Sequence, residues 1–336
     1  VIPTPELRAG NFLALLEPKI DWTAAKSDAR SYKPDTRFFS SHWNVNSGFY
    51  FGEDPSGNGI AQRSWKDIEE ESRQYFLNGI IPFEQWTGTE GEIKLGIFND
   101  ETDRSYKQDT FRYSEHPNYI IGYPFEDLWS DAYPSQGGYV LNSASDIYYD
   151  GESSIKAWYW MGDLPINSFF NIIGGVRYEG TDMSTKNRIV GGTDQRYIYT
   201  RDNQWEFVTS ANIGEKADAT LQQDDVLPSI GFVLEPIKDV LVRASYSETV
   251  ARPTFKELSP IQQVEYSGGD VFVGNPDLQM VSSRNRDVRV EWTPYAGGLI
   301  SGSWFHKDLE NPIERVARFN AGLDFSTVEN LSLIHI

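Results

Sequence analysis

The chain of 336 residues carries 49 acidic against 30 basic residues, for a net charge of −19. A surface this negative repels a phosphate backbone, which argues against nucleic-acid binding. Cysteine is absent, which excludes a disulfide framework, cysteine-ligated zinc, iron–sulfur clusters and thiol catalysis. The aromatic content of 14% excludes a disordered chain. No run approaches the roughly 18 apolar residues of a spanning helix, so helical membrane proteins are excluded and β-barrels are not.

The two ends carry little information about structure. Val1–Pro5 contains no initiator methionine, no basic segment and no apolar segment, so the chain shows no secretory signal. Leu331–Ile336 stops in an apolar run without a turn or a charged finish. We interpret the chain as a fragment and residues 331–336 as a candidate non-native tail.

Period-two alternation of apolar and polar residues recurs along the chain and predicts strands. One segment, Trp65–Glu71, is the sole candidate helix, and it reads equally well as a polar loop. Strand alternation follows in Glu92–Ile97, Ile172–Glu179, Val240–Thr249 and Arg286–Thr293. The sequence therefore predicts an all-β protein of about nine strands.

The predicted connections alternate between short and long. The short ones, rich in turn formers, are Pro82 to Gly91, Asp163 to Ser168, Pro236 to Asp239 and Pro294 to Gly298. The long ones are about Ser27 to Asp67, Ser105 to Gly151, Met183 to Gln223 and Arg252 to Val281. Compact domains rarely carry loops beyond about 12–15 residues. Short turns alternating with long loops are typical of an antiparallel outer-membrane barrel, with short periplasmic turns and long extracellular loops.

A barrel strand shows one face to lipid and the other to the lumen. Lipid cannot solvate charge, so Arg243, Arg289 and Glu291 are expected to point into the lumen. The aromatic residues near strand ends suit the interfacial girdles of a barrel; they are Trp22, Trp160, Tyr178 and Trp292. A soluble sheet with one wet face explains the alternation equally well, but it does not explain the long loops.

No set of residues forms a catalytic or metal-binding pattern. The four histidines are scattered without ligand spacing, and we predict no enzyme, no metal site and no cofactor. The predicted loop from Asp100 to Glu152 has eleven acids against three bases and carries Trp129 and Tyr133. Such a loop could grip a cationic, sugar-like or planar ligand. We favour the simpler interpretation that its charge keeps an outer loop soluble or bridges divalent ions to lipopolysaccharide.

Several segments carry a family resemblance. They are Leu241–Pro260, Gly274–Leu278, Ser283–Asn285, Val290–Trp292 and Ile300–Glu314. Together they resemble the barrel of TonB-dependent outer-membrane receptors, and the resemblance extends over about Ser168 to Glu314. Within it, Pro253 and Pro260 are expected to end strand pairing, and Asn275–Asp277 to form a turn. We interpret these residues as architectural.

The resemblance implies part of a 22-stranded, plugged transmembrane β-barrel in the outer membrane of a Gram-negative bacterium. Residues 1–330 would belong to that barrel, and the plug domain is absent from the chain. The implied function is TonB-energised uptake of a scarce solute such as a ferric siderophore, a vitamin or a glycan. The implied partners are the TonB complex, reached through the plug, the small solute, and outer-membrane lipid with lipopolysaccharide.

The alternatives are a passive outer-membrane porin and a soluble carbohydrate-binding or carbohydrate-cleaving β-protein. The topology places the candidate ligand-facing residues in two groups. They are the loop aromatics Trp129, Tyr133 and Trp205, and the lumen residues Arg243, Arg289 and Glu291.

Overall fold

A computed structural model describes most of the chain. The described residues are 17–39, 42–46, 49–51, 61–84, 89–115, 139–143, 147–188, 195–199, 205–209, 217–260, 262–264, 271–318 and 331–335. Their elements in chain order are β1 (Lys19–Phe39), β2 (His42–Asn44), β3 (Phe49–Phe51), β4 (Ala61–Glu84), β5 (Glu90–Glu115), β6 (Tyr139–Ser143), β7 (Ile147–Asn167), β8 (Phe170–Arg188), β9 (Gln195–Tyr199), β10 (Trp205–Thr209), β11 (Ala219–Ile237), β12 (Val240–Ala251), α1 (Phe255–Leu258), β13 (Gln262–Val264), β14 (Val271–Val273), β15 (Val281–Trp292), β16 (Ile300–Glu310), β17 (Glu314–Arg318) and β18 (Leu331–His335).

Nine long strands form one antiparallel sheet in the order β1-β4-β5-β7-β8-β11-β12-β15-β16, and β6 pairs with β5 beside this path. Each long strand pairs with the next one along the chain, as in a meander. The prediction of about nine antiparallel strands is confirmed. Short strands form three further sheets, β2 with β3, β9 with β10, and β13-β14-β18-β17. Within the described part of the chain, β1 and β16 each have a strand partner on one edge only.

Two of the short connections that the structure describes are two-residue turns, and a third, Thr293–Leu299 between β15 and β16, has seven residues. Ser168 and Phe169 join β7 to β8, and Lys238 and Asp239 join β11 to β12. Asp239 takes a positive φ of 66°, a conformation that aspartate tolerates better than most residues. The connection from Pro82 to Gly91 lies partly outside the described residues.

Two sequence predictions are wrong. The segment Trp65–Glu71 is neither helix nor loop, because it lies within β4. Three of the long connections are shorter than predicted, since β1 runs on to Phe39, β5 to Glu115 and β8 to Arg188. The first sixteen residues of the predicted acidic loop therefore belong to β5. These strand ends lack a clear alternation of apolar and polar residues because one face is charged and the other mixes polar residues with a few buried apolar ones, such as Tyr106 and Met183.

Alternate residues of the nine strands build one apolar face. Its members include Ile20, Trp22, Leu77, Leu95, Ile97, Trp158, Trp160, Tyr178, Val226, Ile230, Phe232, Val288, Val290 and Trp304. Most of these side chains are exposed, with Ile97 at 58% and Val226 at 62%. A contiguous exposed apolar surface of this extent marks contact with another apolar phase.

The apolar face ends at one register level across β5, β7, β8 and β11. Ile97 lies opposite Trp158, Trp158 opposite Tyr178, and Tyr178 opposite Val226. On β8 the face runs over nine residues from Phe170 to Tyr178, about 30 Å along the strand. A tilt of roughly 40° reduces this to a height of about 23 Å, close to the ~25 Å apolar band of membrane barrels. The tight turns lie at one limit of this band.

Beyond the other limit the same face is charged, and we call this region the overhang. Lys26 pairs with Glu71 at 3.0 Å and Arg30 with Asp67 at 2.6 Å. On the same face at the other end of the strand order, Arg286 of β15 pairs with Asp308 of β16 at 3.1 Å. Exposed pairs of this kind contribute little to stability. Their effect is to make the overhang a water-facing continuation of the sheet.

Candidate functional site

The segment 252–280, which we call the strap, crosses the face of the sheet opposite the apolar band. It leaves β12 at Arg252, returns to β15 at Val281, and is described at 252–260, 262–264 and 271–280. It packs on the ends of β5, β7, β8 and β11 that lie beyond the band. The buried apolar residues of this contact are Tyr106, Ile147, Tyr149, Met183, Ala219, Leu221, Phe255, Leu258, Leu278 and Met280.

Local sequence explains how the strap begins. Pro253 lacks a backbone donor, which stops strand pairing just after β12. Thr254 then caps α1: its hydroxyl accepts from the backbone of Glu257, and the Glu257 carboxylate accepts from the backbone of Thr254 at 2.8 Å. This capping box fixes the single turn that points Phe255 and Leu258 at the sheet. These two side chains are 6% and 0% exposed.

The face of the sheet beneath the strap, which we call the wall, leaves space for the side chains of the strap. Gly151 lies under the Phe255 ring, and a Cβ atom at Gly151 would come within 2.7 Å of that ring. Tyr106 and Tyr149 stack at 4.9 Å between ring centroids and form the floor of the contact. The hydroxyl of Ser259 donates to Oδ1 of Asn187 at 2.7 Å. The contact therefore combines apolar packing with a buried hydrogen bond.

Arg252 anchors the strap to the wall through Glu179. Its guanidinium donates to the Glu179 carboxylate and to the Thr181 hydroxyl, the latter at 3.0 Å. Arg177 donates from Nε to the other oxygen of Glu179 at 2.7 Å. Burial lowers the pKa of the Arg252 guanidinium, and the positive charge of Arg177 lowers it further. One buried carboxylate thus holds two arginines, one from the wall and one from the strap.

Nearer the tight turns, polar side chains on the strap face contact one another across β4, β5 and β7. The ring of Tyr159 occupies the space over Gly96, where a Cβ atom would lie 2.2 Å from the ring. Its hydroxyl donates to Oδ1 of Asn78 at 2.6 Å, and Asn78 donates to Asp21 at 2.7 Å. These groups bind one another and stiffen the wall.

The strap does not cover the rest of its face. We call the strap-face residues of β12, β15 and β16 the open wall. Here Arg243 lies directly opposite Arg289, whose Nε donates to Glu291 at 2.5 Å. Arg289 also donates to the Ser301 hydroxyl at 3.3 Å. The Arg243 residue is exposed, and its side chain makes no hydrogen bond or ion pair with the described residues.

The predicted site residues divide into two groups. Arg243, Arg289 and Glu291 come together on the open wall, on the face opposite the apolar band. Trp129 and Tyr133 lie outside the described residues. Trp205 begins β10 opposite Tyr199, and its side chain is likewise not described. A ligand contact by any of the six stays a prediction.

Sequence reasoning missed the strap as a packed element. One signal was available, because Thr254 and Glu257 have capping-box spacing around the apolar Phe255 and Leu258. The role of Gly151 as the seat of Phe255 had no signal in the sequence, since the two residues are far apart in the chain. Of the described residues, no group of three or more acids and histidines could hold a metal ion. Nor does any helix among them have the length and apolar character needed to cross a membrane.

Three solved structures are similar to the chain at low sequence identity. One is the hemophore receptor HasR of Serratia marcescens, a double mutant in complex with its hemophore HasA and heme, at 12% identity and a TM-score of 0.38. Another is the ferric-catecholate import receptor Fiu of E. coli K12, at 11% and 0.35. A third is the ferric yersiniabactin uptake receptor FyuA of Yersinia pestis, at 11% and 0.34. The matches cover 95%, 91% and 88% of this chain and 50%, 50% and 43% of those chains.

The chain therefore spans about half the length of the structures it resembles. No curated protein matches the sequence. The family described as TonB dependent receptor-like, beta-barrel matches residues 10–332, nearly the whole chain. This family match agrees with the antiparallel sheet and its apolar band, and the chain belongs to the TonB-dependent receptor-like β-barrel family.

Proposed function

We propose that the chain is part of the barrel of an outer-membrane receptor that takes up a scarce solute with energy from TonB. The solute class is that of a ferric siderophore, a vitamin or a glycan. The observation that carries the proposal is the apolar band, which is shared by the nine long strands and bounded by tight turns on one side and the charged overhang on the other. A soluble protein would have to leave this whole surface in water.

The open edges support a larger barrel. A sheet within lipid cannot leave backbone groups unpaired, because each costs several kcal/mol. The proposal therefore assigns residues 1–330 to a barrel that further strands complete beside β1 and β16. A plug domain outside this chain would fill the lumen and contact TonB. The overhang, which carries both acidic and basic side chains, would lie in the layer of lipopolysaccharide head groups.

The proposal also assigns positions to the candidate ligand contacts. The apolar band faces lipid, so the strap and the open wall face the lumen. Arg243, Arg289 and Glu291 are proposed as lumen contacts of the solute. Trp129, Tyr133 and Trp205 are proposed as contacts on the extracellular side. No catalytic step is proposed.

Fractionation and conductance test this proposal against its two rivals. We expect the receptor, expressed in its own bacterium, to sediment with lipopolysaccharide-bearing outer membrane and to migrate faster in unheated than in heated electrophoresis samples. In planar bilayers we expect no steady open-channel current, because the lumen is plugged. Recovery in the soluble periplasmic fraction would contradict the membrane location. A steady current would instead favour the passive porin.

A further inference from the structure

We infer that the solute is a neutral, hydroxyl-rich molecule of the glycan class and that it contacts a polar patch on the lumen face of β1, β4 and β5. The polar patch consists of Ser27, Ser72, Gln74, Asp100 and Thr102. This inference rests on the proposed function and chooses among the solute classes that it leaves open.

Strand register brings the polar patch together beyond the apolar band, on the side of the overhang. Ser27 lies opposite Ser72, and Ser72 lies opposite Thr102. On β5 the apolar face ends at Ile97, and Thr102 lies about 12 Å higher, at ~3.3 Å per residue and a tilt of roughly 40°. A plug that fills the lumen at the height of the band therefore leaves the polar patch open toward the extracellular side.

The strap leaves the polar patch uncovered. None of the five residues belongs to the buried cluster beneath the strap. Ser27 and Gln74 are exposed, whereas Ser72, Asp100 and Thr102 are half-buried. The polar patch is therefore a part of the lumen face, above the band and beside the strap, that a solute can reach.

The polar patch offers both hydrogen-bond donors and acceptors. Asp100 accepts from the Ser72 hydroxyl at 3.2 Å and, through its other oxygen, from Nε2 of Gln74 at 3.2 Å. The Thr102 hydroxyl makes no hydrogen bond with the described residues. Hydroxyl and amide side chains donate and accept, and a carboxylate accepts. A solute hydroxyl also does both, and its bond to a carboxylate is charge-assisted. The polar patch therefore matches a solute with many hydroxyl groups.

The charge of the polar patch argues against an anionic solute. Asp100 is the one charged residue among the five. The bases that flank the polar patch already hold acids, since Arg104 donates to Glu70 at 2.6 Å and Arg252 donates to Glu179. A multiply anionic ferric chelate is best held by guanidinium or ammonium groups, and here it would meet a carboxylate of its own sign. A neutral solute avoids this repulsion.

A glycan array tests the solute class. The purified full receptor in detergent is applied to an array of neutral, aminated and anionic glycans, and its affinity for a ferric tris-catecholate is measured alongside. We expect binding to one or more neutral glycans and no binding to the ferric chelate. Binding of the ferric chelate, or of charged glycans alone, would overturn the inference. Binding of no glycan on the array would overturn it as well.

Two variants of the polar patch and a control on the outer face test the location. We expect Asp100→Asn to weaken binding of the strongest neutral glycan about 10-fold, and Thr102→Val, which keeps the side-chain shape, about fivefold. Glu101→Gln changes the neighbouring carboxylate on the opposite face of β5 and should leave the affinity within about twofold. Parental affinity in both patch variants would refute the polar patch. Failure of the proposed function is separate, because it would show as absence from the outer-membrane fraction.

Discussion

A receptor carrying Leu95→Arg is expected to lose about 2–4 kcal/mol of unfolding free energy in a lipid bilayer, the cost of arginine on the lipid face near the midplane. Leu95 lies on the apolar face of β5, between Gly79 and Trp160 on the neighbouring strands, and is 43% exposed. In water the same substitution at an exposed position would change stability by less than about 0.5 kcal/mol. Denaturant titration of the receptor in lipid vesicles measures the difference.

The matched control is Ser154→Arg, on the same face but in the overhang. Ser154 lies opposite Glu101 on β5 and Asp182 on β8, so a guanidinium there gains acidic neighbours. We expect its unfolding free energy to stay within about 0.5 kcal/mol of the parent. Equal losses for the two variants would mean that the apolar band is not in lipid.

The second large effect is expected for Leu258→Ala, which truncates a fully buried apolar side chain of the strap. Truncation of a fully buried leucine costs about 2–5 kcal/mol because a cavity remains. Leu258 is 0% exposed and packs in the cluster that joins the strap to the wall. We expect the amides of α1 and of Asn275, whose N–H donates to the Glu257 carbonyl at 2.7 Å, to exchange hydrogen much faster than in the parent.

Gln279→Ala serves as the control within the same strap. Gln279 is exposed and accepts a hydrogen bond from Asn311 at 3.0 Å at the surface. Its loss is expected to cost no more than about 1 kcal/mol and to leave amide exchange in α1 unchanged. If α1 in the parent already exchanges at the rate of exposed loops, the strap is not a packed element.

Sequence patterns correctly predicted the strand segments in which one face is apolar and the other is polar. Val240–Thr249 and Arg286–Thr293 alternate clearly because Val242, Ala244, Val288 and Val290 lie within the band. The same strands beyond the band carry polar residues on both faces, so period-two reasoning has no signal there. Trp65–Glu71 illustrates the failure, since its acids belong to an ion-paired strand and not to a helix or a loop.

The strap could be predicted only in part. Pro253 follows the end of β12 and Asn275–Asp277 forms a turn before β15, and these two architectural roles agree with the structure. Its packing partners could not be predicted, because Gly151 and Asn187 lie in strands about seventy residues or more away. The packing of a phenylalanine ring on a glycine depends on residues that are distant in the sequence, so no local pattern predicts it.

The most direct test of the lipid-facing band is a spin label on two adjacent residues of β12. Ala244 points to the apolar face between Phe232 and Val288, and Ser245 points to the lumen face between Gly231 and Asp287. With the receptor in a bilayer, we predict that a nitroxide at Ala244→Cys collides more with oxygen than with a water-soluble nickel chelate. The nitroxide at Ser245→Cys should show the reverse preference, as should one at Glu248→Cys in the overhang. The same preference at all three positions would contradict the membrane-barrel account.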